Sequence, residues 1–239
     1  MQQPSPPADR LKLYFRDPRL GMTLLGRLLV RVSSYVSYLV LGVSTFAFLI
    51  SPVRGLKYLG VLLLLFLFDR LIHRGEADRP LSEIPETGQV NLTDFLRPSA
   101  FSVIEKAYDR SLIKKTSLSL EVIRQLLTLA EVKEGLERMD LSVDEIKQKI
   151  DELLPQSVKA DSKREIVMGR IETLVGKTYE RAVSSSHLFL EPSDLFSAVL
   201  GVEDESAFRL FSLFGIEEGD LEKAMAFGAL KKQFSRFRQ

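Results

Sequence analysis

The chain has 239 residues, no cysteine and a formal net charge of +1. This length allows one or two domains with a real core, and the balanced charge argues against a protein that binds nucleic acid through bulk phosphate attraction. The lack of cysteine excludes disulfides and thiolate chemistry and removes the commonest zinc ligands, while His73 and His187 lie too far apart in sequence to indicate a metal site. Nearly all long apolar runs precede residue 73 and most charged residues follow it.

The first fifty residues change from a polar leader to a long apolar run. Residues 1–19 contain four prolines and several charges, which predicts a flexible leader. Residues 20–31 are apolar apart from Arg27 and Arg31, so they predict either an interfacial helix or the exposed end of a longer one. Residues 32–50 carry no charge and would rise about 28 Å as a helix, close to the roughly 30 Å hydrocarbon core of a bilayer. We expect a membrane span here, with a buried core helix as the alternative.

A second apolar run follows the proline and glycine of residues 51–55, which are typical of a tight turn. Its uncharged part, residues 58–68, is too short to span a bilayer alone. Residues 53–72 would span if the flanking charged side chains snorkel to the two membrane surfaces; the alternative is a re-entrant or interfacial segment. We therefore predict a membrane hairpin over residues 20–73, with spans at about 32–50 and 53–72.

Basic residues concentrate outside the two apolar runs, and this sets the expected orientation. Those outside are Arg10, Lys12, Arg16, Arg19, Arg27, Arg31, Arg70, Arg74 and Arg79. Only Arg54 and Lys57 lie between the runs. The positive-inside bias predicts that the N-terminus and the C-terminal part both face the cytoplasm, at the cell's inner membrane. No small-residue cleavage site follows the first run, so we interpret it as an anchor and not as a cleaved signal peptide.

The second half of the chain contains an internal repeat. Residues 74–91 have the composition of a linker. The stretch KAYDRSL at 106–112 recurs seventy-one positions later as KTYERAV at 177–183, and apolar positions farther on repeat at an offset of seventy-five. Self-similarity at a fixed offset indicates a duplicated unit. We predict an all-α domain of two four-helix repeats, residues 92–155 and 156–235, packed as a pseudo-twofold pair.

Apolar residues at intervals of three and four predict a long helix at the start of each repeat. The expected buried stripes are Phe101, Ile104, Tyr108 and Leu112 in the first repeat and Val167, Ile171, Leu174, Val175, Thr178 and Ala182 in the second. Ser142 and Ser162 begin capping boxes, Pro192 suits the first turn of a helix, and Gly215 suits a helix end. A last helix is expected from residue 217 to about 234.

These residues resemble the Clp N-terminal domain, the double Clp repeat of Clp-type AAA+ unfoldases. The second repeat carries the closer likeness: SHLFLEPSDLFSAVL at 186–200 is similar to the family's polar cap and leucine-rich helix, and residues 207–216 are similar to its next short helix and glycine corner. The first repeat departs from the pattern, with Arg124-Gln125 inside its leucine-rich helix and Asp140 in the place of Gly215.

The resemblance implies a binding module that recruits protein substrates or adaptors to a Clp-type chaperone or protease system, without AAA+ modules of its own. A Clp ATPase, membrane lipid and a second copy of the chain are the partners to expect, and nucleic acid is not. The alternatives are a membrane-anchored scaffold or oligomerisation protein unrelated to proteolysis, and the non-catalytic front portion of a longer Clp ATPase.

The motifs that offer chemistry all have simpler explanations. Gly176-Lys177-Thr178 lacks the upstream glycine of a phosphate-binding loop and lies in a predicted helix. His187 has no partner at ligand spacing, which favours a capping or surface role. The acidic runs at 203–205 and 217–220 suit helix starts, and the basic tail at 231–238 suits a frayed terminus. We expect no catalytic, cofactor-binding or metal residues, no cofactor and no enzymatic activity in this chain; the sequence identifies no binding residues.

Overall fold

The computed structural model describes residues 11–72, 76–157, 163–202, 204–216 and 219–220. This part of the chain is mostly helical, as predicted, and it also contains two short strands. It divides into two compact units. The helical-pair unit comprises Asp17–Glu76, and the helical-domain unit comprises residues 1–16 together with 77–239.

The elements follow one another as β1 (Lys12–Tyr14), α1 (Pro18–Gly21), α2 (Leu24–Ile50), α3 (Arg54–Ile72), β2 (Gln89–Asn91), α4 (Pro98–Lys114), α5 (Leu118–Leu126), α6 (Ala130–Glu137), α7 (Val143–Leu153), α8 (Arg164–Ser184), α9 (Pro192–Ala198) and α10 (Glu205–Leu213). Short 3-10 turns occur at Leu81–Glu83, Leu92–Phe95, Pro155–Ser157 and Val199–Gly201.

In the helical-pair unit, α2 and α3 lie side by side and run in opposite directions. Near the connecting turn, Gly60 lies so close to Leu49 that a Cβ at position 60 would stand 2.9 Å from the Leu49 backbone nitrogen. Farther from the turn, Arg70 Nε donates a hydrogen bond to the Tyr38 hydroxyl over 3.2 Å. Residue 60 therefore has to lack a side chain, because its backbone meets the backbone of α2.

Helix α2 begins earlier than the uncharged run, at Leu24, where the Thr23 hydroxyl accepts from the Gly26 backbone N–H. Residues 24–31 are therefore the start of a longer helix. Residues 25–50 are long and apolar enough to cross a membrane by length and composition, with a mean hydropathy of 1.6, and only 6% of the most apolar stretch is buried. Helix α3 carries two charged residues near each end. Among the described helices, it is therefore not one of those apolar enough to cross a membrane by this criterion.

The described part of the predicted leader, residues 11–19, contains strand β1 and the start of α1. Strand β1 pairs in parallel with β2, with Leu13 opposite Val90. The Asn91 side-chain amide makes two hydrogen bonds to the backbone of Arg16. Its Nδ2 donates to the Arg16 carbonyl over 2.8 Å, and its Oδ1 accepts from the Arg16 N–H over 3.0 Å. Three-residue strands show no alternating pattern in sequence, and these two lie more than seventy residues apart, so periodicity alone could not predict them.

In the helical-domain unit, the two long helices bury equivalent stripes. All six residues predicted for α8 are buried. At the seventy-one-residue offset, Ala100, Val103, Ile104, Ala107 and Ser111 of α4 are buried as well. Helix α4 buries a further face through Phe101 and Tyr108, whereas Tyr179, the counterpart of Tyr108, is half-buried. Leu112, which was predicted to be buried, is half-buried too.

The ends of α6 and α10 share one turn geometry at an offset of seventy-five residues. Leu141 N–H donates to the Leu136 carbonyl over 3.1 Å, and Ile216 N–H donates to the Phe211 carbonyl over the same distance. The residues just before the donors, Asp140 and Gly215, both adopt left-handed backbone conformations, with φ of 55° and 63°. Aspartate tolerates this conformation better than most residues, so the exchange of glycine for Asp140 leaves the turn intact.

The capping predictions are partly confirmed. Ser142 Oγ accepts from the Glu145 N–H at the start of α7, and Pro192 occupies the first turn of α9. The predicted cap Ser162 lies outside the described residues, and the N-cap of α8 is Lys163. Nearly all of the predicted last helix, 217 to about 234, also lies outside them.

The core of this unit lies around α9, which contacts α8, α4, α6 and α5. Phe196 of α9 is fully buried, and its ring meets Phe211 of α10 edge to face, with centroids 5.9 Å apart. Ser117, the N-cap of α5, donates through Oγ to Oδ2 of Asp204, the N-cap of α10, over 2.9 Å. Elements of both predicted repeats therefore share one core.

Candidate functional site

The tripeptide Gly176-Lys177-Thr178 lies inside α8. Lys177 pairs with Glu180 on the helix surface, with Nζ 3.0 Å from a carboxylate oxygen. The Thr178 side chain is buried, and its hydroxyl donates to the Leu174 carbonyl over 2.8 Å. A phosphate-binding loop needs free backbone N–H groups between a strand and a helix, and this tripeptide does not have that setting.

His187 lies at the turn that ends α8, where its N–H donates to the Ala182 carbonyl over 2.9 Å. Ser186 makes this turn possible with a φ of 54°. The turn carries the imidazole to Asp194, and Nδ1 lies 2.8 Å from Oδ1 of that carboxylate. The other oxygen of Asp194 accepts the Glu191 N–H over 3.0 Å and so caps α9. The predicted capping or surface role of His187 did not include this pair, because no sequence motif links the imidazole to the Asp194 carboxylate.

The loop between α8 and α9 also holds the segment that leads into α4. Arg97 pairs with Glu191 at 3.0 Å, and its guanidinium lies 5.5 Å from the centre of the Phe189 ring. Three backbone bonds join the same segments, from Leu81 to the Leu188 carbonyl and between Leu190 and both Phe95 and Arg97. The His187 cluster therefore fixes the connection that enters the helical domain, which is a structural role.

The electrostatics of the cluster favour a charged histidine. The hydrogen bond to Asp194 raises the pKa of His187 above its usual value, aided by the charges of Asp194 and Glu191 and opposed by burial and by Arg97. Burial raises the pKa of the Asp194 carboxyl, and the bond to His187 offsets part of this effect. A raised histidine pKa contributes stability that is complete below the unfolded pKa and is lost as pH rises through the folded pKa.

We therefore expect His187→Gln to reduce the pH dependence of stability. At pH 6 the variant should be less stable than the wild type by about 1–3 kcal/mol, because a charge-assisted hydrogen bond is lost, and the difference should shrink by pH 8.5. Urea unfolding of the full chain in detergent, followed by far-UV circular dichroism, measures this. Leu188→Gln, at an exposed neighbouring residue, is the control, and the change of its unfolding free energy with pH should equal that of the wild type. If the unfolding free energy of His187→Gln changes with pH as in the wild type, the His187–Asp194 pair does not contribute to the pH dependence of stability.

Asp204 and Glu205 of the acidic run lie at a helix start, as expected. Asp204 accepts the Ser206 N–H over 2.9 Å and is the N-cap of α10. Glu203 lies outside the described residues, as do Glu217, Glu218 and the basic tail at 231–238. Among the described residues, no group of three or more His, Cys, Asp or Glu could hold a metal ion.

A surface cleft of about 240 Å³ lies between α4, α5 and α7. Its lining residues are Arg110, Arg124, Gln125, Thr128, Lys147 and Asp151. Counted from the N-caps Ser117 and Glu191, Arg124 and Gln125 occupy the positions of Ala198, the last residue of α9, and Val199, which follows it. The polar pair that departs from the repeat pattern therefore lines a cleft, while Ala198 and Val199 are buried in the core.

No protein-family model matches the chain, and no curated protein shows significant sequence similarity to it.

Proposed function

We propose that this protein is a membrane-tethered binding module with two Clp-like repeats, which recruits protein substrates or adaptors to a Clp-type chaperone or protease system. The observation that carries the proposal is the repeated architecture. The equivalent buried stripes of α4 and α8, and the same left-handed turn after α6 and α10, support a pseudo-twofold duplication of one helical unit. A duplicated helical domain of this kind is the part of the resembled unfoldases that receives clients.

The membrane hairpin of the proposal consists of α2 and α3. Its support is the length and apolar surface of α2 and the antiparallel contact with α3. In α3, Arg54 and Lys57 lie at the turn end, and side chains on a helix lean toward its N-terminus, so both can snorkel to the far membrane surface. Asp69 and Arg70 lie at the other end.

The orientation of the hairpin has independent support from the small sheet. Strands β1 and β2 flank the hairpin in sequence, yet they pair within the helical-domain unit. Two segments that pair in one folded domain must be on the same side of a membrane, so the chain between them crosses an even number of times or not at all. Together with the positive-inside bias, this supports a cytoplasmic position at the inner membrane for the domain and both hairpin ends.

The recruiting role can be tested by crosslinking the full chain in native membranes and identifying its partners by mass spectrometry. We expect a Clp ATPase, its adaptors or its clients to be enriched over Phe196→Ala, a variant designed to disrupt the helical domain and to leave the hairpin unchanged. Enrichment of the chain with itself alone would contradict the proposal and favour an oligomerising scaffold. ATP hydrolysis by the purified chain would contradict its non-catalytic part.

A further inference from the structure

We infer that the cleft between α4, α5 and α7 binds a carboxylate side chain from an acidic segment of a partner protein. The inference deepens the proposed function, on which it rests, because it names the chemistry by which a partner is recognised. Its first support is the charge of the lining, which contains three cations, Arg110, Arg124 and Lys147, and one carboxylate, Asp151. Three helices contribute the cations, so the site exists only in the folded domain.

Two of the three cations can exchange their present partners for a ligand. Arg124 lies 3.2 Å from Asp151, and Lys147 lies 3.1 Å from Asp144. Both carboxylates are more than half exposed, and exposed ion pairs contribute little to stability, so exchange costs little. Arg110 stays beside the fully buried Glu121, 3.9 Å away, because a buried carboxylate without a counter-charge is destabilising, and it offers a ligand only its remaining N–H groups.

Gln125 is the second, independent support. Its side chain lines the cleft although the residue is only 6% exposed. No residue in the described ranges hydrogen-bonds to its amide. The Gln125 amide atoms are reached from the cleft and are not sealed in the core, and the counterpart Val199, which follows α9, shows that the repeat accepts an apolar residue here. A ligand oxygen in the cleft would give the Gln125 amide N–H a partner.

The size of the cleft and its donors indicate which anion fits. At about 240 Å³ the cleft is smaller than the roughly 300–1,000 Å³ of small-molecule sites, so it has room for one side chain and not for a nucleotide. Thr128 contributes no free donor, because its hydroxyl donates to the Gln125 carbonyl over 2.7 Å. Two guanidinium groups, one ammonium and one amide remain, and guanidinium groups bind carboxylates through paired hydrogen bonds. An aspartate or glutamate of a bound polypeptide satisfies these groups.

The test uses the full chain in nonionic detergent and a fluorescein-labelled peptide rich in glutamate, with the glutamine version of the same peptide as comparison. Fluorescence anisotropy should show binding of the glutamate peptide that weakens with salt, and at least ten-fold weaker binding of the glutamine peptide. Arg124→Gln and Lys147→Gln should each weaken the glutamate peptide by about ten-fold. Lys177→Gln, which removes an exposed lysine from α8, is the matched control and should have no effect.

Three results would overturn the inference: equal binding of the two peptides, no binding of the glutamate peptide, or unchanged affinity in both cleft variants. If inorganic phosphate displaces the glutamate peptide but the glutamine peptide binds with the same affinity, the cleft binds small anions instead. Far-UV circular dichroism and urea unfolding verify that the variants fold. If the peptide binds the cleft but no Clp component is enriched in membranes, the proposed function fails and the cleft assignment stands. If the wild type and Arg124→Gln enrich Clp partners equally, the cleft assignment fails and the proposed function stands.

Discussion

Replacing Phe196 by alanine is expected to destabilise the helical domain by about 3–5 kcal/mol. The Phe196 side chain is fully buried in α9 and meets the Phe211 ring edge to face, so truncation removes buried apolar area and leaves a cavity. Domains are stable by only about 5–15 kcal/mol, so the variant should lose a large fraction of its stability. The midpoint of urea unfolding of the full chain in detergent, followed by far-UV circular dichroism, measures the change.

The matched control is Phe208→Ala, which makes the same change of side chain in α10. Phe208 is 70% exposed, and exposed positions usually change stability by about 0.5 kcal/mol or less. A loss in Phe208→Ala as large as that in Phe196→Ala would mean that the core is not centred on α9. The control also bears on partner binding, because loss of crosslinked partners in Phe208→Ala without loss of stability would identify this part of α10 as a contact.

Replacing Val43 by arginine should strongly impair membrane insertion. Val43 lies near the middle of the charge-free part of α2 and is 64% exposed, so its side chain would face lipid. An arginine at the centre of a membrane helix costs about 2.5–3.5 kcal/mol on insertion scales, roughly a hundred-fold in the insertion equilibrium. The fraction of the chain that resists alkaline extraction from membranes should fall accordingly.

The control for insertion is Val32→Arg, at the start of the same charge-free run and next to Arg31. An arginine there can snorkel to the interface, so insertion should change little. Equal extraction of both variants, or of neither, would contradict the membrane span and favour a core helix.

The orientation of the proposed hairpin can be tested by cysteine labelling. Because the chain has no cysteine, single cysteines introduced at Val53 and Ile113 report on the two sides of the membrane. Both positions are exposed, and an impermeant thiol reagent should label the turn from outside and the helical domain only after lysis.

Periodicity predicted the helices because a helix buries one face through residues three and four apart, and this pattern is local. The stripe of α8 was correct at all six positions, and Gly215 ends α10 as expected. In α4, three of the four predicted residues, Phe101, Ile104 and Tyr108, are buried. Leu112 was expected in the interior and is half-buried, because the neighbours of a helix decide how wide its buried face is.

Contacts between distant segments were beyond the reach of these patterns. The pairing of β1 with β2, the bond between His187 and Asp194, and the cleft between three helices each depend on the way separate segments meet. In the sequence, Arg124-Gln125 stands out only as a departure from the repeat. The tertiary structure placed this pair beside Arg110 and Lys147 and so turned it into a candidate site.

The amino-acid sequence alone determined the helical class, the internal repeat and the position of the long apolar run, because each follows from neighbouring residues or from direct comparison of the chain with itself. Only the tertiary structure decided that the N-terminal segment joins the helical domain and that three cations line one cleft with Gln125. Those features arise from hydrogen bonds and electrostatic contacts between residues far apart in sequence, and no local periodicity specifies them.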